Sequence, residues 1–371
     1  MRNGIWTDFS DDDQYLDDDD MSLYQAQDAV CLYASSRGIL QLFSEKDLFY
    51  IKKSYNLTSD SFNSDPDIAI MYIEREIKAL TELKHPTVIQ MIGYSTNIID
   101  PNIKVDLATG GSLMEVLIAE DKGVQISGWD TTQKFIVMYG IARALSFITD
   151  KEYIYRDLKP DNILLDHDLR PLLSDFDSAK KFEYKKKPLT GIGTTEYCAP
   201  EQLQSLISND VYYGNEATVY SFGAVIYSLF TLLRPYYHRI SEEVPECNQV
   251  KASQILSKEL NPPKFDDDFI YPELQDFTEN LLSWDPAERL GIQDLHEIIY
   301  EIAWNIDELD SDRFDKYVNY LNFYEQTPES IPLDGTPENL KIAESRQCPL
   351  ALRCASLISE GLAGTCPNIS D

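Results

Sequence analysis

Four residues close together in the chain have the types and spacing to do chemistry as a set. Asp157, Lys159 and Asn162 fall within the run Tyr155-Arg156-Asp157-Leu158-Lys159-Pro160-Asp161-Asn162, and Asp175 follows 18 residues after Asp157 in Asp175-Phe176-Asp177. Moving a phosphoryl group from a nucleotide requires such a set. A carboxylate orients a hydroxyl, a cation sits near the moving phosphate, and oxygen ligands hold a hard divalent cation. Other chemistries are poorly served. The chain has only 4 histidines, which disfavours a histidine-centred metal site or a Ser-His-Asp relay. Its cysteines, at 31, 198, 247, 348, 354 and 366, show neither a disulfide framework nor zinc-ligand spacing.

The elements that must position this set can be read from composition and periodicity. The chain has 371 residues and is 43% hydrophobic, enough for one large domain or two lobes. Its net charge of −31 argues against nucleic acid or an anionic membrane as the main partner, since both reward basic patches. Residues 1–22, with Asp11 to Asp13 and Asp17 to Asp20, read as an acidic, disordered, solubilising tail. No signal-peptide pattern opens the sequence, because acidic residues stand where basic and apolar ones would be. The stretch Val219 to Leu233 holds Ser221, Ser228 and Thr231 and reads as a buried helix rather than a membrane span. These features suggest a soluble, cytoplasmic protein, with the nucleus left open.

From about Asp28 to Asp106 the pattern is strand-like with one helix. Leu48 to Lys52 is rich in β-formers. Ile68 to Leu83 carries Ile70, Ile73, Ile77 and Leu80 near helical spacing, and Pro86 ends it. Beyond Gly111 the chain becomes mainly helical, most clearly over Thr131 to Thr149 and Ala217 to Leu233.

This order of elements, together with the Asp157 and Asp175 motifs, resembles the eukaryotic protein kinases of serine/threonine type over about residues 28–300. The resemblance implies an α+β, bilobal fold, with a small β-rich lobe at 23–106 and a larger helical lobe at 107–302. ATP and Mg²⁺ would be the cofactors and proteins the substrates. In family terms, Asp157 would accept or orient the substrate hydroxyl proton, Lys159 would neutralise charge on the phosphate, and Asn162 and Asp175 would ligate magnesium. A lysine two residues after the aspartate is the serine/threonine form of this loop. Lys52 would hold the α- and β-phosphates and pair with Glu76. Lys53 and Glu74 compete for the same roles, but strand alternation sets Lys52 opposite Ile51, and the reading keeps Lys52.

The run from Asp106 to Leu113 resembles the hinge, with Val105 as gatekeeper and the backbones of Asp106 and Ala108 facing adenine. Gly193 to Glu201 resembles the end of an activation segment. There Thr194 would contact the catalytic aspartate and lysine, and Glu201 would form a buried pair with Arg289, whose disruption costs about 3–5 kcal/mol. Thr190 stands where many kinases carry an activating phosphate, with Arg156 as its expected partner. The Gly110-Gly111-Ser112-Leu113 run, the stretch from His85-Pro86 to Tyr94 and the Thr218 to Gly223 run resemble the tyrosine-kinase-like group.

Four features depart from the family pattern. The glycine-rich loop, aligned with Tyr33 to Leu40, keeps only Gly38. Tyr50 falls at the small residue that roofs adenine. Asp177 replaces the glycine after Asp175-Phe176. Thr218 replaces the aspartate that anchors the catalytic loop, and its hydroxyl could accept a hydrogen bond there. The rival reading is therefore a pseudokinase that acts as a binding or scaffold module. Residues 303–371 read as a helical tail in which Leu340 to Gly361 loosely resembles one Sel-like repeat. One repeat cannot bury its own face, so it must pack on the kinase domain or on a protein partner.

Overall fold

The computed structural model describes residues 30–359, apart from 36–37, 46, 58–64, 182–194, 208–212, 237–238, 241–247 and 261. The expected acidic tail, Thr190 and Thr194 lie outside the described residues.

The small lobe is one antiparallel sheet and one helix. Strands β1 (Val30–Ser35), β2 (Gly38–Glu45), β3 (Leu48–Tyr55), β4 (Met91–Ser95) and β5 (Asn102–Asp106) lie in the order β1-β2-β3-β5-β4. Helix α1 (Pro66–Glu82) joins β3 to β4. It starts where the Asp65 side chain accepts from the Asp67 N–H and Pro66 enters the first turn. Its buried face carries Ala69, Ile73, Glu76 and Leu80 at spacings of three and four. Ile70 and Ile77, expected on that face, are only half-buried. The stripe is rotated so that one carboxylate, Glu76, points inward.

The larger lobe begins with the short strand β6 (Gly111–Ser112) and α2 (Leu113–Asp121), which opens on a capping box between Ser112 and Glu115. Helix α3 (Thr131–Asp150) leads to four short strands, β7 (Tyr153–Ile154), β8 (Ile163–Leu165), β9 (Pro171–Leu173) and β10 (Lys180–Lys181). These pair as β6-β8-β9 and β10-β7, and so pin the loops between them. Helices α4 (Pro200–Ile207), α5 (Asn215–Thr231), α6 (Asn248–Leu256), α7 (Pro272–Leu281) and α8 (Leu295–Ala303) complete the lobe. Every residue of α5 from Ala217 to Leu229 is buried, so its apolar run is core. Among the described residues, no helix is long and apolar enough to cross a membrane.

Three more helices follow: α9 (Ser311–Gln326), α10 (Pro337–Ser345) and α11 (Pro349–Ser359). Helix α9 packs on α3, α10 on α11, and α11 on α2 and β6. Leu340, Ala343, Cys348, Ala351 and Cys354 join the same buried core as α3 and α5. The surface that covers this segment is thus the larger lobe itself. The whole is a bilobal α+β arrangement.

Candidate active site

The lysine of the site is Lys53, one residue beyond the expected Lys52. Lys53 Nζ lies 2.8 Å from Glu76 Oε2 and 2.7 Å from Asp175 Oδ1, so one ammonium bridges α1 and the turn after β9. Lys52 instead pairs with Asp100 at 2.5 Å, on the other face of the sheet. Alternation decides both fates. Tyr50 and Lys52 share one face, where the Tyr50 ring stacks on Phe43 at 5.6 Å. Ile51, Lys53 and Tyr55 share the face toward α1. Tyr50 therefore faces away from Lys53, whereas Ile51, paired across the sheet with Val105, shares the face of Lys53. Glu76 is buried while Glu74 is exposed, which settles the choice of glutamate.

Tyr55 is a member of this cluster that the sequence reading missed. Its hydroxyl donates to Glu76 Oε2 at 2.5 Å, and Lys53 Nζ lies 5.3 Å from its ring centre. Burial, followed by the charge of Glu76, pushes the phenol well above its ordinary range, so it keeps its proton and remains a donor. Burial opposes the charge on Lys53, but Asp175 and Glu76 outweigh it and hold the ammonium firmly protonated. Burial also pushes Glu76 up, against the pull of Lys53.

The catalytic-loop residues converge as a second group. Lys159 Nζ is 3.1 Å from Asp157 Oδ2. The Asn162 amide donates to the Asp157 carbonyl at 2.8 Å and to its Oδ2 at 2.9 Å. Burial opposes charge on Lys159, but Asp157 and Asp161 raise its pKa, and Asp175 adds to this, which puts the two groups within electrostatic reach. Asp175 holds a left-handed backbone (φ 54°) as the 3₁₀ turn Phe176–Ser178 begins. Phe176 is fully buried and meets the Tyr155 ring edge-on at 5.1 Å, which fixes the turn. Asp175 and Asn162 supply oxygen donors to the cleft. Magnesium takes one or two carboxylates and completes its shell with phosphate and water, so this donor chemistry fits it.

Support around the site departs from the family pattern. The Thr218 hydroxyl is buried and has no hydrogen-bond partner among the described residues, so it does not replace the expected anchor. Gln202 Nε2 donates instead to the Arg156 carbonyl at 2.8 Å. Arg156 has φ 73° and its Nε donates to the Ser178 carbonyl at 2.5 Å, so its guanidinium is engaged inside the fold. Burial and then the Asp175 charge push Asp177 up to about 7, and Ser178 Oγ donates to it at 2.9 Å. Gly38 opens β2, where a Cβ would collide with the Ser54 carbonyl, so close strand approach alone requires glycine there. Glu201 and Arg289 form a two-pronged pair at 2.7 and 3.0 Å. Arg289 also donates to the carbonyls of Glu216 and Ser283, which ties α4 to α5 and the loop after α7.

At the hinge, Ala108 is buried and the Asp106 N–H donates to the Gln90 carbonyl at 2.9 Å. The Asp106 carboxylate turns toward the segment between α9 and α10. It accepts from the N–H groups of Asp334 at 2.5 Å and Gly335 at 2.9 Å. The Phe49 N–H donates to the Gly335 carbonyl at 2.6 Å, and a Cβ at 335 would collide with the Phe49 carbonyl. No motif pointed to this junction.

Residues 41–300 match the protein kinase domain family, and the chain belongs to that family. It is 31% identical over 239 residues to a RAC family serine/threonine-protein kinase homolog of Dictyostelium discoideum, covering 62% of this chain and 48% of that protein. It is 29% identical over 198 residues to the RasGEF domain-containing serine/threonine-protein kinase X of the same organism, covering 53% of this chain and 19% of that protein. It is 26% identical over 268 residues to human 3-phosphoinositide-dependent protein kinase 1, covering 71% of this chain and 42% of that protein. The chain thus spans less than half the length of each of these relatives.

Proposed function

We propose that the chain is a protein serine/threonine kinase, transferring the γ-phosphate of Mg-ATP to Ser or Thr hydroxyls of proteins in intracellular signalling. The observation that carries this reading is the single ammonium of Lys53 shared by Glu76 and Asp175, which joins the two lobes across the cleft. That arrangement aims a fixed positive charge at the nucleotide phosphates. Asp157 takes the proton of the substrate hydroxyl, and Asn162 holds its carboxylate in place. Lys159 supplies positive charge for the transferring phosphate. Magnesium, held by Asp175 and Asn162, would neutralise charge on the phosphate oxygens. The Gly110 to Leu113 run supports placement in the tyrosine-kinase-like group.

A second reading, a binding module without turnover, draws on the Thr218 hydroxyl, which has no hydrogen-bond partner among the described residues. Phosphotransfer from labelled ATP separates the two. The kinase reading expects label on a protein substrate with Mg²⁺, lost in Asp157→Asn. Folded protein that transfers no label above that control, with Mg²⁺ or Mn²⁺ and several substrates, would favour the module.

A further inference from the structure

The junction between the C-terminal segment and the hinge is built from an unusual exchange of bonds. Asp334 is buried, and its Oδ2 accepts from both the N–H of Thr109 at 2.6 Å and the Thr109 hydroxyl at 2.7 Å. Its Oδ1 lies 2.5 Å from His167 Nδ1 and accepts from the His167 N–H at 3.1 Å, which anchors it to the loop between β8 and β9. In return the N–H groups of Asp334 and Gly335 are held by the Asp106 carboxylate. The Gly335 carbonyl takes the N–H of Phe49 on β3. One two-residue turn therefore bonds the small lobe, the hinge and the larger lobe at once.

Its far ends are fixed as well. Upstream, the Glu325 carboxylate on α9 pairs with Arg143 on α3 and lies 3.0 Å from His85 Nε2. Downstream, the Thr336 side chain caps α10. A turn tethered on both sides cannot easily swing away, so it restrains whatever it bonds.

We propose that Asp334 is a positioning residue for the nucleotide site, holding residues 106–109 in the conformation in which the Asp106 carbonyl and the Ala108 backbone meet adenine. This rests on the kinase reading given above. Asp334 touches neither Lys53 nor Asp157 among the contacts described, so its effect falls on nucleotide affinity rather than on the transfer step. Loss of hydrogen bonds to a charged acceptor is worth roughly tenfold or more.

The test uses the full chain, with Asp334→Ala and the milder Asp334→Asn, which keeps one acceptor oxygen. Two readouts are taken: KM and kcat for ATP, and amide hydrogen exchange over residues 106–111. The expected result for Asp334→Ala is a KM for ATP raised about tenfold, kcat within about twofold, and faster exchange at the hinge amides while α3 and α5 stay protected. Asp334→Asn should lie between wild type and Asp334→Ala, and it decides the matter if Asp334→Ala does not fold. Folded variants with wild-type KM and wild-type hinge exchange would overturn the proposal, as would a fall in kcat at constant KM. If the wild-type chain neither binds nor turns over ATP, the kinase reading fails, and hinge exchange alone decides whether Asp334 restrains this segment.

Discussion

The cleft around Lys53 and the hinge junction are both built from buried or half-buried carboxylates, and they manage the charge differently. In the cleft, Glu76 and Asp175 face one lysine that satisfies both, with Tyr55 donating to Glu76 as well. At the junction, the Asp106 carboxylate is held by backbone N–H groups, and burial pushes it up to about 7. Asp166 nearby is also pushed to about 7, first by burial and then by the Asp334 charge. Between the two lobes lies a cavity of about 260 Å³ lined by Asp106, Asp166, His167, Arg170 and Asp334. In the cleft two carboxylates share one full cation, which suits electrostatic chemistry, whereas at the junction Asp106 is held by neutral donors, which suits placement. The cleft should therefore respond to mutation in rate, and the junction in affinity, stability and pH dependence.

The comparison is broken most sharply at Asp175. Asp175→Asn removes the charge that bridges to Lys53 and one proposed magnesium ligand. Transfer should fall by about 10²–10³-fold, the scale for losing a preorganised charge, with the thermal midpoint nearly unchanged. A drop in the midpoint that accounted for the lost activity would mean that this cleft carboxylate is structural. Tyr55→Phe is gentler, since it keeps the ring and removes one donor to Glu76. A reduction of about tenfold in kcat/KM for ATP is expected. Wild-type values in Tyr55→Phe would remove Tyr55 from the lysine-glutamate cluster.

At the junction the sharper probe is pH. Asp106 and Asp166 have folded pKa values above the ordinary carboxylate range, so the folded chain binds protons that the unfolded chain releases. Their stabilising contribution is full below about pH 4 and is lost as pH rises toward 7. For His167, burial works against charge, but its hydrogen bond to Asp334 raises the pKa overall. It therefore contributes in the same direction, its share lost as pH rises through a value above 6.5. The urea midpoint should fall between pH 5 and 8, and Asp106→Asn should make that fall shallower. An unchanged slope in the folded variant would show that Asp106 does not hold the proton.

Much of the cleft was legible because its motifs are local. Asp157, Lys159 and Asn162 sit on one loop, and their spacing alone brings them together. The lysine shows where local pattern fails. Alternation sorted Tyr50 with Lys52 and Ile51 with Lys53, but it cannot say which face is inward; that follows from the inward turn of Glu76 on α1. Choosing Lys53 would have exposed Tyr55 at once, two residues along the same face. The junction was not legible. Asp334 lies 228 residues from Asp106, and such pairings leave no periodic trace. The local cue was Pro332-Leu333-Asp334-Gly335 before Thr336-Pro337, a turn followed by a helix start, which predicts shape but no partner. Thr218, read as a departure from the anchoring aspartate, has no hydroxyl partner among the described residues, and Gln202 of α4 bonds the loop's backbone instead.

The central claim is that this cleft transfers phosphate using the lysine that faces α1. The most direct test measures phosphotransfer from Mg-ATP by the wild-type chain, Lys53→Met and Lys52→Met in one assay. The account predicts transfer by the wild type, a loss of about 10²-fold or more in Lys53→Met, and near wild-type transfer in Lys52→Met. Loss in Lys52→Met with activity kept in Lys53→Met, or no transfer by any folded form, would contradict it.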